Sequence, residues 1–384
     1  MMMVIKMKCH RCHNENINRM YKLNGEFYCR DCIKFNKVII DRKRDTKQVK
    51  YNHKRISYHL DFTLSKRQKE ISLKLKENYK NNLNSLVLAV CGSGKTEIVY
   101  EVISYALNKG DRVCFAIPRK EIVKELYERI KASFHNVEIG IFVGGYKENE
   151  NAQFIICTMH QLYRFENHIG FDLMIADEVD AFPFYNNRIL NEIFKRCTLK
   201  NYIKLSATFL EEDIGDEELL IMNRRYHGDH LPVPKLILIP SLCQKYVLLY
   251  LIKKTNKSFL LFVPSKTLAS TMSQYLNKHS IKSDYIHSSK ENINECIDKL
   301  KNKVIDVLVT TTLLERGMTI KDIQVIVYKC QDHVFNERTL VQIAGRVGRK
   351  IGYTQGYVYF LSDRRTKAIS KCIKSIKGYN SMNA

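Results

Sequence analysis

The sequence predicts an α/β protein: two domains of mostly parallel β-sheet covered by helices, preceded by a small cysteine-rich module. Short apolar segments alternate with amphipathic helical patterns from Leu64 onward, two closely spaced cysteine pairs precede them, and the prolines of LPVPK (231–235) divide the alternating region. Strands separated by helices are typical of parallel sheets covered on both faces, and prolines mark boundaries. The predicted organisation is a cysteine module at 1–36, a basic linker at 37–63, and α/β domains at 64–235 and 236–384.

Ten apolar segments are predicted to be strands, and the amphipathic segment 121–130 is predicted to be a helix because its apolar residues recur at spacings of three and four. The strands of the first α/β domain are expected at 85–90, 112–117, 154–158, 171–177 and 203–207. Those of the second are expected at 258–264, 283–287, 304–311, 323–328 and 356–362.

Composition points to a soluble protein with an anionic partner. The chain has 384 residues and a formal net charge of +23, without an apolar run near the roughly 18 to 20 residues of a membrane helix. The start, MMMVIKMKCH, does not fit a signal peptide, and we expect the twelve cysteines to be reduced in a cytosol. The leading anionic partner is nucleic acid, and an acidic membrane surface is second.

The cysteine module has the spacing of a metal site. Cys9-x-x-Cys12 and Cys29-x-x-Cys32 have sixteen residues between them, which matches a tetrahedral four-thiolate zinc site. The intervening segment 19–29 suits a hairpin that turns at Asn24-Gly25. So small a module needs support beyond its own core, and structural zinc supplies about 10 to 16 kcal/mol of apparent binding energy. A redox pair and a chance coincidence are the alternatives.

The segment 34–59 is strongly basic, with Asp41 and Asp45 its acidic residues and Tyr51 and Tyr58 interleaved. A solvated surface is one interpretation of such a run. An arm that follows a phosphate backbone is the other.

The first predicted strand leads into AVCGSGKT (89–96), which has the pattern of a phosphate-binding loop. Glycines let the backbone fold around phosphate oxygens, the lysine reaches the β and γ phosphates, and the threonine hydroxyl binds Mg²⁺. Ala89 stands where the usual pattern has its first glycine, and an ordinary strand-to-helix turn is the alternative interpretation. The predicted ATP and Mg²⁺ ligands here are Gly92, Ser93, Gly94, Lys95 and Thr96.

The segment FDLMIADE (171–178) is an apolar strand that ends in two acids. Beside a phosphate loop, Asp177 can hold Mg²⁺ and Glu178 can orient and activate the attacking water. A pair of surface acids is the alternative. We expect the following Phe182 and Phe184 to pack without a chemical role.

Two arginines near the end of the chain, Arg346 and Arg349 in QIAGRVGR (342–349), are candidates for the remaining catalytic charge. They are three positions apart and hence on one face if helical. Guanidinium groups suit the charge of a transferring phosphoryl group, and an arginine finger is worth about 10³ to 10⁵ in rate. A phosphate-binding turn and a basic surface are the alternatives.

These motifs, in this order, resemble superfamily 2 helicases and translocases, which have tandem RecA-like domains, over about 64–380. The resemblance rests on LSKRQ (64–68), PRKEIVKEL (118–126), TMHQLYRF (158–165), DEVD (177–180), SAT (206–208), FVPS (262–265) and TTTLLERGMT (310–319), together with the motifs above. It implies ATP contacts by Gln68 and Gly317. It implies coupling roles for Asp180, Ser206, Ala207, Thr208 and Gln342. It implies DNA contacts by Pro118, Arg119, Thr158, His160, Gln161, Arg164, Thr310 and Thr311.

Within that superfamily the chain resembles the ComFA family of late-competence ATPases of bacterial DNA uptake. The resemblance rests on the four-cysteine module, DEVDAFPF, TMHQLYRF, TTTLLERGMT and LVQIAGRVGR. It implies ATP-driven movement on single-stranded DNA during transformation, at the cytoplasmic face of the uptake channel and with other competence proteins, with a homo-oligomer left open. Two departures are the lysine-rich helix after 283–289 and the short chain.

Three other functions are alternatives. QIAGRVGR also resembles replication-restart and repair helicases. A DEAD-box RNA helicase is disfavoured because Gln342 stands where HRxGRxGR has histidine. A zinc-dependent DNA-binding adaptor that is switched by ATP without translocation is the third.

Overall fold

The computed structural model describes residues 7–35, 37–40, 49, 51, 55–166, 169–208, 215–226, 228–288, 292–315, 320–350 and 352–381. The chain divides into two compact units. The first comprises Met1–Leu88, Lys95–Ser206 and Leu210–Leu220, and the second comprises Ala89–Gly94, Ala207–Phe209 and Ile221–Ala384. Within the described ranges, no helix has the length and apolar character needed to cross a membrane.

The cysteine module contains the predicted hairpin. Strands β1 (Met20–Leu23) and β2 (Glu26–Cys29) pair in antiparallel fashion. Between them Asn24 and Gly25 both have positive φ, 52° and 84°, as a two-residue turn of type I′ requires. The prediction of a hairpin turning at these two residues is therefore confirmed. The turn brings Cys29 back toward the first cysteine pair.

The first unit contains the eight-stranded sheet, in the order β12-β4-β11-β10-β5-β9-β7-β8. Its five central pairings are parallel, and β8 is an antiparallel edge strand. The short strands β3 and β6 pair separately. The elements are β3 (Ser57–Tyr58), α1 (Lys66–Lys80), β4 (Ser85–Ala89), α2 (Tyr100–Asn108), β5 (Val113–Ile117), α3 (Lys120–Ser133), β6 (Phe134–His135), β7 (Ile139–Val143), β8 (Tyr146–Glu148), β9 (Phe154–Thr158), β10 (Phe171–Ala176), α4 (Arg188–Cys197), β11 (Thr198–Ser206) and β12 (Glu218–Met222).

The second unit contains a six-stranded parallel sheet in the order β13-β18-β17-β14-β16-β15. Side chains of β14, β16 and β17 form its core with those of α5 and α6. The elements are β13 (Lys235–Leu238), α5 (Gln244–Thr255), β14 (Phe259–Phe262), α6 (Lys266–Lys278), β15 (Ser283–Ile286), α7 (Ile293–Lys301), β16 (Val307–Thr310), β17 (Gln324–Val327), α8 (Glu337–Ala344), β18 (Val358–Ser362) and α9 (Lys367–Ser381).

All ten predicted strands are present, and the predicted helix lies within α3. The sequence reasoning missed β7, β8, β12 and β13 among the sheet strands. Strand β7 is a short apolar run beside two glycines, Gly144 and Gly145, and β13 directly follows the prolines taken as a boundary. Neither strand shows the alternation of polar and apolar residues that predicts a strand. Both are extended because they pair with neighbouring strands in the sheet.

Candidate functional site

Five of the predicted motifs follow the carboxyl ends of neighbouring parallel strands of the eight-stranded sheet. Strands β4, β11, β10, β5 and β9 lie side by side in that order, and parallel strands end at the same edge of a sheet. Open α/β sheets bind ligands at this edge. The segments that emerge here are the glycine loop, SAT, DEVD, Pro118-Arg119 and the segment 158–165.

The glycine loop after β4 has the backbone shape of a phosphate-binding loop. Gly92 and Gly94 have positive φ, 81° and 77°, a region that glycine adopts without steric cost. The Ser93 N–H donates to the Val90 carbonyl at 3.1 Å and closes the turn. Ala89, in place of a glycine, is the last residue of the strand and fully buried. The departure from the usual pattern therefore falls in the strand rather than in the turn.

Lys95 and Asp177 are brought together. Lys95 Nζ lies 3.6 Å from Asp177 Oδ1, and both side chains are mostly buried. The predicted Mg²⁺ ligand Thr96 accepts a hydrogen bond from Arg129 Nη2 at 3.0 Å. The arginine also forms an ion pair with Glu97 at 3.7 Å. Sequence reasoning missed Arg129, which contacts the loop from α3.

Glu178 lies on a tight turn that follows β10. Its φ is 54°, which is uncommon outside glycine. Three hydrogen bonds hold the turn: the Glu178 N–H donates to Asp177 Oδ1 at 2.7 Å, the Val179 N–H to the Leu205 carbonyl at 3.2 Å, and the Ala181 N–H to the Glu178 carbonyl at 2.9 Å. Because the backbone turns between Asp177 and Glu178, the two consecutive acids do not continue the strand. Asp180, on the same turn, is 5% exposed.

The two phenylalanines after DEVD have different environments. Phe184 is buried and packs edge to face against Phe194, with ring centroids 5.7 Å apart. Phe182 is 87% exposed. The expectation that both pack is therefore wrong for Phe182, because the turn of the chain at Pro183 points only one of the two rings toward the core.

Gln68, a predicted ATP contact, lies in the first turn of α1. Ser65 and Gln68 form a capping box: the Gln68 N–H donates to Ser65 Oγ at 3.3 Å, and the Ser65 N–H donates to Gln68 Oε1 at 2.8 Å. These bonds satisfy backbone donors at the helix start. The structure thus assigns the amide oxygen of Gln68 to the helix cap.

The predicted coupling residues are buried. Ser206 ends β11 and Ala207 and Thr208 directly follow it, and each of the three is less than 5% exposed. Gln342 on α8 accepts a hydrogen bond from the Cys91 thiol at 2.9 Å within the second unit.

Arg346 and Arg349 lie beyond the end of a helix. Helix α8 ends at Ala344. Arg346 and Arg349 are therefore not helical, and the expectation that they share one helical face does not apply. Arg346 is buried and Arg349 is partly exposed. Arg349 Nε donates to the Gly345 carbonyl at 2.8 Å, and Gly348 has a φ of 73°. The two arginines therefore belong to a turn, and their environments differ.

Sequence reasoning also missed Arg225, which supports this turn. Its Nη1 donates to the Gly348 carbonyl, and its Nη2 donates to the Gly345 carbonyl at 3.3 Å. Burial, together with the charge of Arg349, lowers the pKa of Arg225 to about 10. Arg225 follows Arg224 in a polar segment without a recognisable motif, so local sequence offered no signal for this role.

The residues predicted to contact DNA fall into two groups. A 3₁₀ helix, Met159–Arg164, follows β9 and carries His160, Gln161 and Arg164, and Arg164 Nε donates to Gln161 Oε1 at 2.6 Å. Burial lowers the pKa of His160. In the same unit, Pro118 and Arg119 directly precede α3 and Thr158 ends β9. Thr310 and Thr311, at the end of β16, belong to the second unit. The predicted ATP contact Gly317 lies outside the described residues.

The four cysteines of the module form one cluster. Their sulfurs all lie within 4.8 Å of one another, with 3.8 Å between Cys9 and Cys32 and 3.5 Å between Cys12 and Cys29. Tetrahedral Zn–S bonds of about 2.3 Å place sulfurs about 3.8 Å apart. Hydrogen bonds with Cys12 and Cys32 lower the pKa of Cys9, whereas those with Cys12 and Cys9 raise the pKa of Cys32. Sulfurs this close share protons unless a cation replaces them, so the donor set fits a thiolate-binding metal.

Comparison with known protein families supports the helicase resemblance. The family described as "Type III restriction enzyme, res subunit" matches residues 61–211, and the family described as "Helicase conserved C-terminal domain" matches residues 242–351.

Two solved structures have a similar fold. One is Dbp5 of S. cerevisiae bound to RNA and ADP BeF3, with 17% sequence identity, a TM-score of 0.56, and coverage of 83% of this chain and 92% of that one. The other is the Mycobacterium smegmatis helicase Lhr bound to ssDNA and AMP-PNP, with 17% identity, a TM-score of 0.56, and coverage of 83% of this chain and 50% of that one. The likeness confirms the fold as two RecA-like domains with parallel sheets.

The fold and the family matches define the class: the chain is an ATP-hydrolysing, DNA-dependent helicase or translocase of superfamily 2. Competence protein ComFA of Bacillus subtilis strain 168 is 30% identical to it over 98% of this chain and 86% of the relative. Competence protein ComFA of Streptococcus pneumoniae R6 is 29% identical over 98% of this chain and 90% of the relative. The chain belongs to the ComFA family.

Proposed function

We propose that this protein is an ATP-driven translocase on single-stranded DNA that acts in DNA uptake during bacterial transformation. The observation that carries the proposal is the pairing of Lys95 with Asp177, with Glu178 on the adjoining turn, in a chain of the ComFA family. The two RecA-like domains are proposed at 64–235 and 236–384.

In this proposal the backbone amides of the glycine loop and the side chain of Lys95 bind the phosphates. Lys95 would pair with the β and γ phosphates of ATP in place of Asp177, and Asp177 and Thr96 would hold Mg²⁺. Mg²⁺ would neutralise the phosphate charge that develops during transfer. Glu178 orients the attacking water and accepts its proton. The site then releases ADP and phosphate.

Arg346 and Arg349 supply positive charge to the transferring phosphoryl group, with a proposed gain of about 10³ to 10⁵ in rate. Asp180, Gln342 and the segment 206–208 relay the state of the nucleotide to the DNA contacts. Coupling of this kind requires that hydrolysis be faster when DNA is bound, which makes DNA stimulation the property to measure.

We assign zinc to the four-cysteine cluster. Four thiolates at these separations match the preferred ligand number and bond length of structural zinc. Its contribution would be to the folding of the module rather than to catalysis.

The proposed DNA path uses Arg119, His160, Gln161 and Arg164 in one unit and Thr310 and Thr311 in the other. The net charge of +23 favours a polyanion. From the resemblance to the ComFA family, we propose that the protein acts at the cytoplasmic face of the cell membrane, with the DNA-uptake channel and other competence proteins as its partners. Assembly into a homo-oligomer is compatible with this role.

The test is the ATPase activity of the purified protein with single-stranded DNA, duplex DNA and RNA. We expect single-stranded DNA to raise the rate most, and Lys95→Ala to abolish activity under all three conditions. Lys109→Ala, which changes an exposed lysine at the end of α2, is the matched control. Absence of DNA stimulation, or activity that survives Lys95→Ala, would overturn the proposal. Stimulation by RNA alone would assign the protein to a different substrate.

A further inference from the structure

A buried arginine links the cysteine cluster to the first α/β unit. Arg11 lies between Cys9 and Cys12 and is 1% exposed. Its Nε donates to the two carboxylate oxygens of Glu166 at 3.1 and 2.8 Å, and its Nη2 lies 2.5 Å from Oε2. Its Nη1 donates to the carbonyls of Phe35 at 2.9 Å and Cys32 at 3.4 Å. One guanidinium therefore binds both cysteine pairs to Glu166.

Glu166 also pairs with a second arginine. Arg196 on α4 lies with its Nε 2.9 Å from Glu166 Oε1, and its Nη1 donates to the His10 carbonyl at 2.5 Å. Glu166 is 2% exposed. Removing one member of a buried ion pair leaves a charge without compensation, which is strongly destabilising. The arrangement Arg11–Glu166–Arg196 is thus specific in geometry and sensitive to the loss of any member.

The module contacts both ends of the segment 158–165. Glu166 directly follows this segment. At its other end, the ring of Phe35 stacks on the ring of His160, with centroids 5.8 Å apart and an angle of 18° between the planes. Phe35 is itself part of the core of the first unit. The cysteine pairs determine the position of Arg11, and Phe35 follows Cys32 by three positions, so both contacts depend on the fold of the cluster.

We infer that the cysteine module positions the segment 158–165 for DNA binding, and that Arg11 and Glu166 are the positioning residues that transmit metal binding to it. The inference rests on the proposed function, which assigns His160, Gln161 and Arg164 to DNA. The module then acts on DNA through the segment it supports. A direct DNA contact by the module is the competing explanation, and the two make different predictions.

The two cysteine pairs offer a matched comparison. Arg11 lies inside the first pair and is buried, whereas Arg30 lies inside the second pair and is exposed. Arg11→Lys and Arg30→Lys both retain the charge but lose the planar fork of the guanidinium. We expect Arg11→Lys to weaken binding of an oligo-dT probe about tenfold, as expected for coupled neighbours, with Arg30→Lys within twofold of wild type. Zinc content and DNA-independent ATPase activity should match wild type in both variants. Equal losses of affinity in both variants would overturn the inference.

Chelation of the metal tests the coupling in full-length protein. Chelation should weaken oligo-dT binding about tenfold in wild type and much less in Glu166→Gln, because the link is already broken there. Hydrogen exchange of the peptide 158–166, measured without DNA, should rise on chelation in wild type and be raised already in Glu166→Gln. Unchanged exchange in chelated wild type, or equal effects of chelation on both proteins, would overturn the inference. A wild-type protein without DNA-stimulated ATPase would instead overturn the proposed function, and the exchange result would still decide whether the module supports this segment.

Discussion

Lys95 Nζ lies 3.6 Å from Asp177 Oδ1, which joins the glycine loop to the acid-ended strand of the same sheet. The same oxygen accepts the N–H of Glu178 at 2.7 Å. One carboxylate thus contacts the lysine proposed to bind phosphate and the backbone of the acid proposed to activate water. A bound nucleotide with Mg²⁺ would replace both members of this pair: phosphate would give Lys95 a negatively charged partner, and Mg²⁺ would give Asp177 a positively charged one.

The two consecutive acids should differ in effect when each is changed to its amide. Asp177→Asn should raise the Mg²⁺ concentration needed for half-maximal ATPase activity, because a charged metal ligand is lost. Glu178→Gln should retain binding of Mg-ATP but lower the maximal rate by about 10² to 10³, a typical effect of losing one catalytic group. Mg²⁺ titrations of ATPase activity and binding of a fluorescent ATP analogue measure both. Similar Mg²⁺ dependence in the two variants would contradict the assigned roles.

Phe182 and Phe184 should differ in their contribution to stability. Phe184→Ala removes a buried ring that packs on Phe194 and should lower the free energy of unfolding by about 3 to 5 kcal/mol. Phe182→Ala should change it by no more than about 0.5 kcal/mol, because the ring is 87% exposed. Urea denaturation of both variants is the measurement. A large loss in Phe182→Ala would show that this ring is buried in solution.

The turn that carries Arg349 should depend on the glycine at 348. A Cβ at Gly348 would lie 2.2 Å from the Thr354 carbonyl oxygen and 2.6 Å from Arg225 Nη1. Gly352 also has positive φ, 79°, but a Cβ there meets nothing within 4 Å. Gly352→Ala should cost about 1 to 2 kcal/mol for its backbone conformation alone, and Gly348→Ala should cost more and lower ATPase activity. Thermal unfolding and ATPase assays of both variants test this. Equal behaviour would indicate that the close contact has no effect.

DNA affinity should fall steeply with salt. Because the proposed contacts include phosphates, the logarithm of the binding constant should decrease linearly with the logarithm of salt concentration, with a slope of about 0.7 per phosphate neutralised on a single strand. Arg164→Gln should reduce this slope by about 0.7, since Arg164 lies exposed on the segment 158–165. Arg188→Gln, which changes a basic residue at the start of α4, is a control expected to leave the slope unchanged. An unchanged slope in Arg164→Gln would remove Arg164 from the proposed DNA path.

The sequence by itself determined the parts of this protein that depend on local pattern. The ten apolar segments formed strands, the Asn24-Gly25 turn formed a hairpin, and the cysteine spacing placed four sulfurs within 4.8 Å. Each of these depends on residues that are close in the chain or on one repeating period. The family resemblance also followed from the sequence, because short motifs and their order along the chain are recognised without knowledge of the tertiary contacts between the segments.

Only the tertiary structure decided how those parts are supported. The guanidinium of Arg11 forms hydrogen bonds with the carboxylate of Glu166, although a long segment of chain separates the two residues. Arg225 binds the turn at 345–348 from a position at least 120 residues earlier in the chain, and Phe184 rather than Phe182 faces the core. Contacts of this kind depend on the path of the whole chain, and the burial of a charge or a ring is a property of its surroundings. The sequence contains each residue, but its partner is specified only when the fold brings the two together.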